Sequence, residues 1–231
     1  MCMDLDDLTY GRVGAPLNGV HCRIIDWPEG GYSINDYPRP RGELIVGGKM
    51  IAEGYYENPA ETRDSFFVED GFNWFITGDI VELYPDGTFK VIDRKKDFIK
   101  LGNGEFVSLG KVEAALKSNA FIDNICLIGD SFLNCLIALV VPNQRSLKNF
   151  AFRQLGLPKN ISLEEICKNT EIIDNVYIDI IKTGFHNKLK PIELPSMISL
   201  ISDEWSPDND LLTAAMKLKR KNIIIPSLIY I

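Results

Sequence analysis

The chain changes its hydrophobic period at one place, the charged run Asp93-Arg94-Lys95-Lys96-Asp97, and that change limits its fold more than any other feature. Before the run, short apolar and β-branched stretches at 20–25, 43–46, 75–83 and 88–92 are separated by punctuation such as EGG and PRPRG. That pattern predicts strands. Pro85-Asp86-Gly87 is hairpin chemistry, because Pro presets φ and Gly supplies a positive φ. The density of glycine suits a small sheet or a distorted barrel. After Lys96 strands and helices alternate, so the reading is a mixed fold: a β-rich unit over 1–94, a connector at 95–97 and an α+β unit over 98–231.

Within the second half, 98–101 reads as a short strand closed by the Gly102-Asn103-Gly104 turn. Leu109, Val112, Ala115 and Leu116 share one helical face, with Ser108 as its N-cap. Segments 122–128 and 135–141 read as strands. Leu147, Phe150, Ala151 and Leu155 mark another amphipathic helix, Ser162-Leu-Glu-Glu165 is a capping box, and 172–189 continues at helical period.

Composition narrows the class. A chain of 231 residues, 45% apolar and 25% charged, can bury a core without metal or disulfides. The net charge of −7 argues against general nucleic-acid binding, which needs a basic face. No run approaches the ~20 apolar residues that span a bilayer. The longest, 133–141, contains Asn134 and stops at Pro142, which is the signature of a buried strand. MCMDLDDLTY lacks the apolar stretch of a secretory signal. The five cysteines (Cys2, Cys22, Cys126, Cys135, Cys167) are scattered and His21 and His186 lie far apart, so no protein-built metal site is expected.

Three places could carry chemistry. In Thr77-Gly78-Asp79 a carboxylate beside glycine could accept both hydrogens of a vicinal diol such as ribose, or could be a surface turn. Arg94 could bind sugar or phosphate with its planar fork, or belong to a solvated charge run. Lys217-Leu218-Lys219-Arg220-Lys221 is the one strongly basic cluster, and its residues could form an anion site, a partner surface or a membrane-facing segment. No Walker-type phosphate loop is present.

The order of the motifs carries the reading further. GELIVGGKMIAEGYYENPAETRDSF, TGDI, PDGTFKVIDRKKDFIK, GEFVSLGKVEAAL and TAAMKLKRK together resemble the adenylate-forming acyl-CoA synthetases, and within them the long-chain fatty-acid–CoA ligases. GRVGAPL, EGGY, DNIC, VVPNQ and EWSPDN look closest to the animal branch that includes arachidonate-preferring enzymes. The resemblance runs from about Thr9 to Lys221.

It implies a two-step reaction using fatty acid, ATP with Mg2+, and CoA, with Asp79 holding the ribose hydroxyls and Arg94 assisting. It implies that Lys217 enters the site during adenylation, with Lys219 and Arg220 as surface or anion-steering residues. Lys96 matches the hinge on which the C-terminal domain swings, and Lys100, Gly102, Gly104 and Glu105 lie on the face used for thioesterification. The family's phosphate-binding loop, its adenine- and Mg2+-holding segment and its fatty-acid tunnel are expected upstream of Thr9. The chain then corresponds to the end of the large AMP-binding domain, the hinge and the mobile C-terminal domain, inactive alone. The alternative is a non-catalytic AMP- or CoA-binding module, or a partner for a separate N-terminal half.

The resemblance also implies a parent enzyme at the cytosolic face of endoplasmic reticulum, mitochondrial outer membrane or peroxisome, with no anchor in these residues. After Lys221 the sequence NIIIPSLIYI is apolar and interrupted by Pro226, where the family continues an amphipathic helix. With the basic cluster before it, that tail could make a peripheral membrane contact, or be simply an altered end.

Overall fold

The computed structural model describes residues 1, 11–129 and 131–227. They form two compact units, Met1–Phe98 and Ile99–Ile231.

The first unit is built on strands β1 (His21–Ile25), β2 (Arg41–Gly48), β3 (Phe66–Glu69), β4 (Phe72–Leu83) and β5 (Phe89–Arg94), with helix α1 (Pro59–Ser65) before β3. All pairings are antiparallel, in the order β1-β2-β4-β3 with β5 also on β4. Twelve-residue β4 holds this together: one edge pairs with β2, while the other takes β3 at 72–75 and β5 at 79–83. The sheet stays open and does not close into the expected barrel. Bulges bend β4 and divide its outer edge between two short strands, leaving no continuous register for closure.

The β4–β5 turn follows its chemistry. Gly87, at φ +80, donates to the Tyr84 carbonyl, and Asp86 accepts from the Thr88 N–H and hydroxyl. Helix α1 was not anticipated, although Asn58-Pro59 spells its start: the Asn58 side chain accepts from the Glu61 N–H and Pro occupies the first turn.

The second unit contains β6 (Phe98–Lys100), β7 (Phe106–Ser108), α2 (Leu109–Leu116), β8 (Ile122–Ile128), β9 (Leu136–Pro142), α3 (Gln144–Leu155), α4 (Leu163–Cys167), α5 (Thr170–His186), β10 (Pro195–Leu200) and α6 (Arg220–Ser227). β6 and β7 form a hairpin. The main sheet runs β10-β9-β8, with β9–β8 antiparallel and β10–β9 parallel. Its alternate residues feed two cores. Ile125, Leu127, Leu136, Ala138 and Val140 pack with α2, α3 and α5, while Cys126, Ile128, Ile137, Leu139 and Val141 pack with Trp205, Leu212 and Ile223. Burial on both faces is why this strand sequence is a continuous apolar run.

The caps expected at Ser108 and Ser162 are present. Helix α5 ends at His186, short of the anticipated 189. Lys188 adopts φ +60, and the Lys188 and Leu189 N–H groups donate to the Phe185 and Gly184 carbonyls, closing the helix in a Schellman turn. Past Lys221 the chain is helical through 227, so the expected interruption at Pro226 falls inside α6. The rest of the apolar tail, 228–231, lies outside the described residues. Among the described residues no helix is long and apolar enough to cross a membrane.

The edge of β8 is closed by an ion pair. Arg220 makes a two-pronged contact with Glu113, Nη1 to Oε1 at 2.6 Å and Nη2 to Oε2 at 3.0 Å. Glu113 Oε1 accepts the Leu127 N–H at 2.7 Å, and Arg220 Nη1 donates to the Leu127 carbonyl at 2.9 Å. Arg220 is therefore a structural residue, not the surface or steering cation expected from the basic cluster. Lys219 pairs with Asp210.

Arg220→Ala should cost about 3–5 kcal/mol, because Glu113 is left buried without its partner. A urea melt that moves by less than 1 kcal/mol (roughly the value of an exposed pair) would refute that role. Burial also pushes the Cys126 thiol up to about 12. Below pH 9 the thiol is protonated folded or unfolded. From 9 to about 12 it ionises only when unfolded, so stability falls with rising pH by up to about 1.4 kcal/mol per unit. Buried Cys167, pushed up to about 11, contributes in the same direction, so denaturation across that window should show a steeper fall for the wild type than for Cys126→Ala.

Candidate functional site

The first constellation is built by a bulge in β4. Between the β2 pairings Glu43↔Ile80 and Ile45↔Ile76, Leu44 faces three residues, Thr77, Gly78 and Asp79. The Thr77 hydroxyl donates to the Leu44 carbonyl at 2.7 Å and accepts the Asp79 N–H at 3.1 Å. One side chain thus replaces the ladder bonds that the bulge removes. Gly78 sits at φ +71, and a Cβ there would meet nothing within 4 Å. The positive φ is itself a conformational requirement that favours glycine. The tripeptide lies in mid-strand, flanked by fully buried Ile80 and Val81, and is not a surface turn.

The bulge aims Asp79 across to β5, where Arg94 is its register partner. Arg94 Nε lies 3.0 Å from Asp79 Oδ1. The Asp79 side chain keeps 28% of its exposure and Arg94 59%, so the pair faces solvent with Oδ2 unengaged by the described residues. A carboxylate fixed by one oxygen and open at the other can accept hydroxyl hydrogens.

The charged run that ends β5 is tethered through Asp93, Arg94, Lys95 and Lys96, not merely solvated. Asp93 is buried, accepting from the Tyr32 hydroxyl at 3.4 Å and from the Arg94 N–H at 2.8 Å. Lys95 Nζ reaches buried Glu43 at 3.0 Å. Lys96, in a 3-10 turn at Lys95–Asp97, reaches Glu61 on α1 at 3.3 Å and is 84% exposed. Glu43 and Glu61 went unrecognised because pairing partners separated by 52 and 35 residues leave no local signal. Gly78 did leave one: an isolated glycine inside a strand pattern points to a bulge.

The second unit carries the other candidates. Lys100 ends β6, its Nζ 5.7 Å from the centre of the Phe106 ring. In the Gly102–Glu105 turn, Gly104 N–H donates to Leu101, Leu101 N–H to Glu105 and Gly102 N–H to Leu133, each at 2.8 Å. Both glycines have reasons within the chain. A Cβ on Gly102 would fall 2.6 Å from Asn134 Oδ1, and Gly104 is at φ +87.

Lys217 lies on a separate loop closed by the Leu212↔Leu218 bridge. Thr213 holds that loop: its N–H donates to the Lys217 carbonyl at 2.8 Å and its hydroxyl accepts the Lys217 N–H at 3.1 Å. The Lys217 side chain is exposed, with no ion-pair partner among the described residues. Asp79 and Arg94 are thus brought together, Lys100 to Glu105 share one hairpin, and Lys217 stands on its own turn. Among the described residues no group of acidic, His and Cys side chains is assembled to hold a metal ion.

No protein-family profile matches the chain. It is 44% identical over 219 residues to long chain acyl-CoA synthetase 8 of Arabidopsis thaliana, covering 94% of this chain and 30% of that protein. It is 36% identical over 223 residues to long-chain-fatty-acid–CoA ligase 1 of Schizosaccharomyces pombe, covering 96% and 32%. The chain therefore spans about a third of the length of the curated relatives it matches. Among solved structures it is similar to the A domain of carboxylic acid reductase from Segniliparus rugosus in complex with AMP and a co-purified carboxylic acid. There the TM-score is 0.75 at 30% identity, with 92% of this chain and 31% of that one covered.

Gly78→Ala should destabilise the first unit by about 1–2 kcal/mol through the left-handed backbone alone. A urea midpoint unchanged from wild type would show that the bulge relaxes without glycine.

Proposed function

Because the chain belongs to the long-chain acyl-CoA synthetases of the adenylate-forming family, we propose that it supplies the ribose-binding and mobile catalytic parts of a long-chain fatty-acid–CoA ligase. The observation that carries this reading is similarity over 94–96% of the chain to proteins named long-chain acyl-CoA synthetase or long-chain-fatty-acid–CoA ligase. In the first half-reaction a fatty carboxylate attacks the α-phosphorus of MgATP, and pyrophosphate leaves from the acyl-adenylate. In the second, the thiol of CoA loses its proton, attacks the acyl carbonyl and expels AMP. The metal enters with ATP, as substrate.

Within this reaction Asp79 accepts from the ribose hydroxyls, with Arg94 holding its other oxygen. AMP in the A domain from Segniliparus rugosus supports a nucleotide in this architecture. Lys217 supplies a point positive charge during adenylation, offsetting carboxylate–phosphate repulsion and the charge that builds on transfer. Its exposure, and the lack of an ion-pair partner among the described residues, suit a cation that must leave solvent for a phosphate.

The hinge is at Lys96. Its contact with Glu61 is an exposed pair worth at most about 1 kcal/mol, so it holds the turn without locking it. The Lys100 to Glu105 hairpin is the face that meets CoA. Residues 1–94 are the end of the AMP-binding domain, and 98–231 form the domain that moves.

The test is ATP–pyrophosphate exchange with a long-chain fatty acid. The 231 residues alone should give background rates. Fused behind the preceding region of the Arabidopsis relative they should support exchange, which Lys217→Ala lowers by about 10²–10³-fold. Asp79→Asn should raise KM for ATP about ten-fold or more, the loss of a charge-assisted hydrogen bond. Exchange by the chain alone, or a fusion indifferent to Lys217, would overturn the reading. A fusion that binds AMP without exchange would favour a binding module.

A further inference from the structure

We propose that the outward face of helix α3 docks on an anionic lipid bilayer. Leu147 and Ala151 turn the inner face of α3 into the core. At 100° per residue the opposite face carries Arg145, Asn149, Phe152 and Arg153, all exposed, with half-exposed Lys148 on its flank. Residues 143–160 hold four cations, Lys159 included, and no carboxylate, in a chain of net charge −7.

Among the described residues these cations form no ion pair. Six of the nine arginines have one there, and two of the remaining three are Arg145 and Arg153. Lys148 and Lys159 have none among the described residues either. Acidic side chains on adjoining segments have contacts of their own. On α4, which packs against α3, Glu164 binds Lys168 and Glu165 accepts from Ser162. Beside the helix start, Asp123 accepts from Asn143. Since 143–160 holds no carboxylate, the charge of this face is not offset from within its own segment, and it reaches a Debye length of about 8 Å in physiological salt.

The aromatic contribution selects lipid over a merely solvated charge cluster. Phe152 is 43% exposed, with Lys159 Nζ 4.7 Å from its ring centre. An exposed ring with a cation against it, on a helix face that carries two more, matches the headgroup layer, where phosphates meet the cations and the ring enters the acyl boundary. The surface is distinct from the Lys217–Lys221 cluster, where Lys219 and Arg220 are held by Asp210 and Glu113. This inference stands on charge and exposure and does not depend on the ligase reading.

The test is co-sedimentation of the 231-residue chain with large unilamellar vesicles, of phosphatidylcholine alone or with 30% phosphatidylserine. The chain should bind the phosphatidylserine vesicles only, and release them in 1 M salt. Each of Arg145→Gln, Lys148→Gln and Arg153→Gln should weaken binding roughly five-fold, and the triple variant about a hundred-fold. Circular dichroism controls for folding, and the single variants carry the test if the triple one misfolds. Phe152→Ala should weaken the part of binding that survives moderate salt. Absence of binding by wild type, or equal binding by the folded variants, would overturn the proposal. So would binding lost through Lys217→Gln/Lys221→Gln instead, or capture of a single-stranded oligonucleotide through α3 with no vesicle bound.

Discussion

The second unit depends on how the edge of β8 is closed. A three-stranded sheet buried on both faces leaves its outermost strand with N–H and C=O groups that water cannot reach, at a cost of about 1–3 kcal/mol each if unmade. Leu127 is such a residue, fully buried, and its two groups are met by Glu113 from α2 and Arg220 from α6. Neither charge is tolerable there without the other. The two-pronged geometry satisfies the carboxylate, the guanidinium and the strand edge together. It ties an element near the start of the unit to one near its end, 107 residues apart. The loop bearing Lys217 leads directly into that anchored helix.

The first unit solves a different problem by similar means. Lengthening one strand against its neighbour removes ladder bonds, and the Thr77 hydroxyl restores two of them. The consequence is directional: a side chain that would alternate into the sheet is turned toward Arg94. Of the charges that follow, Lys95 is tied to buried Glu43 of this sheet and exposed Lys96 to Glu61 on α1, while Asp93 is buried. The connector is thus held by buried partners on one side and by one weak exposed pair on the other.

Much of this was legible in the sequence because it is local. The Pro85-Asp86-Gly87 turn, the caps at Ser108 and Ser162 and the change of period at 93–97 depend on residues a few positions apart. Helix α1 is equally local, its start written in Asn58-Pro59. Strand β10 was not legible. Its segment PSMISL carries mixed polarity, and it is a strand because β9 offers a parallel edge. Parallel pairing joins residues about 60 apart, and no local pattern encodes it.

The sequence by itself determined the family, the β-to-α+β order and the identities of the candidate residues, since motif order and hydrophobic period are properties of the chain. Tertiary structure alone decided their surroundings. It made Gly78 a bulge, left the sheet open instead of barrelled, and turned Arg220 inward to Glu113 while leaving Lys217 outside. Within one basic cluster, LKRK cannot say which cation is structural. That is settled by which one meets a buried carboxylate and an unpaired strand edge, and both are brought there by residues a hundred positions away.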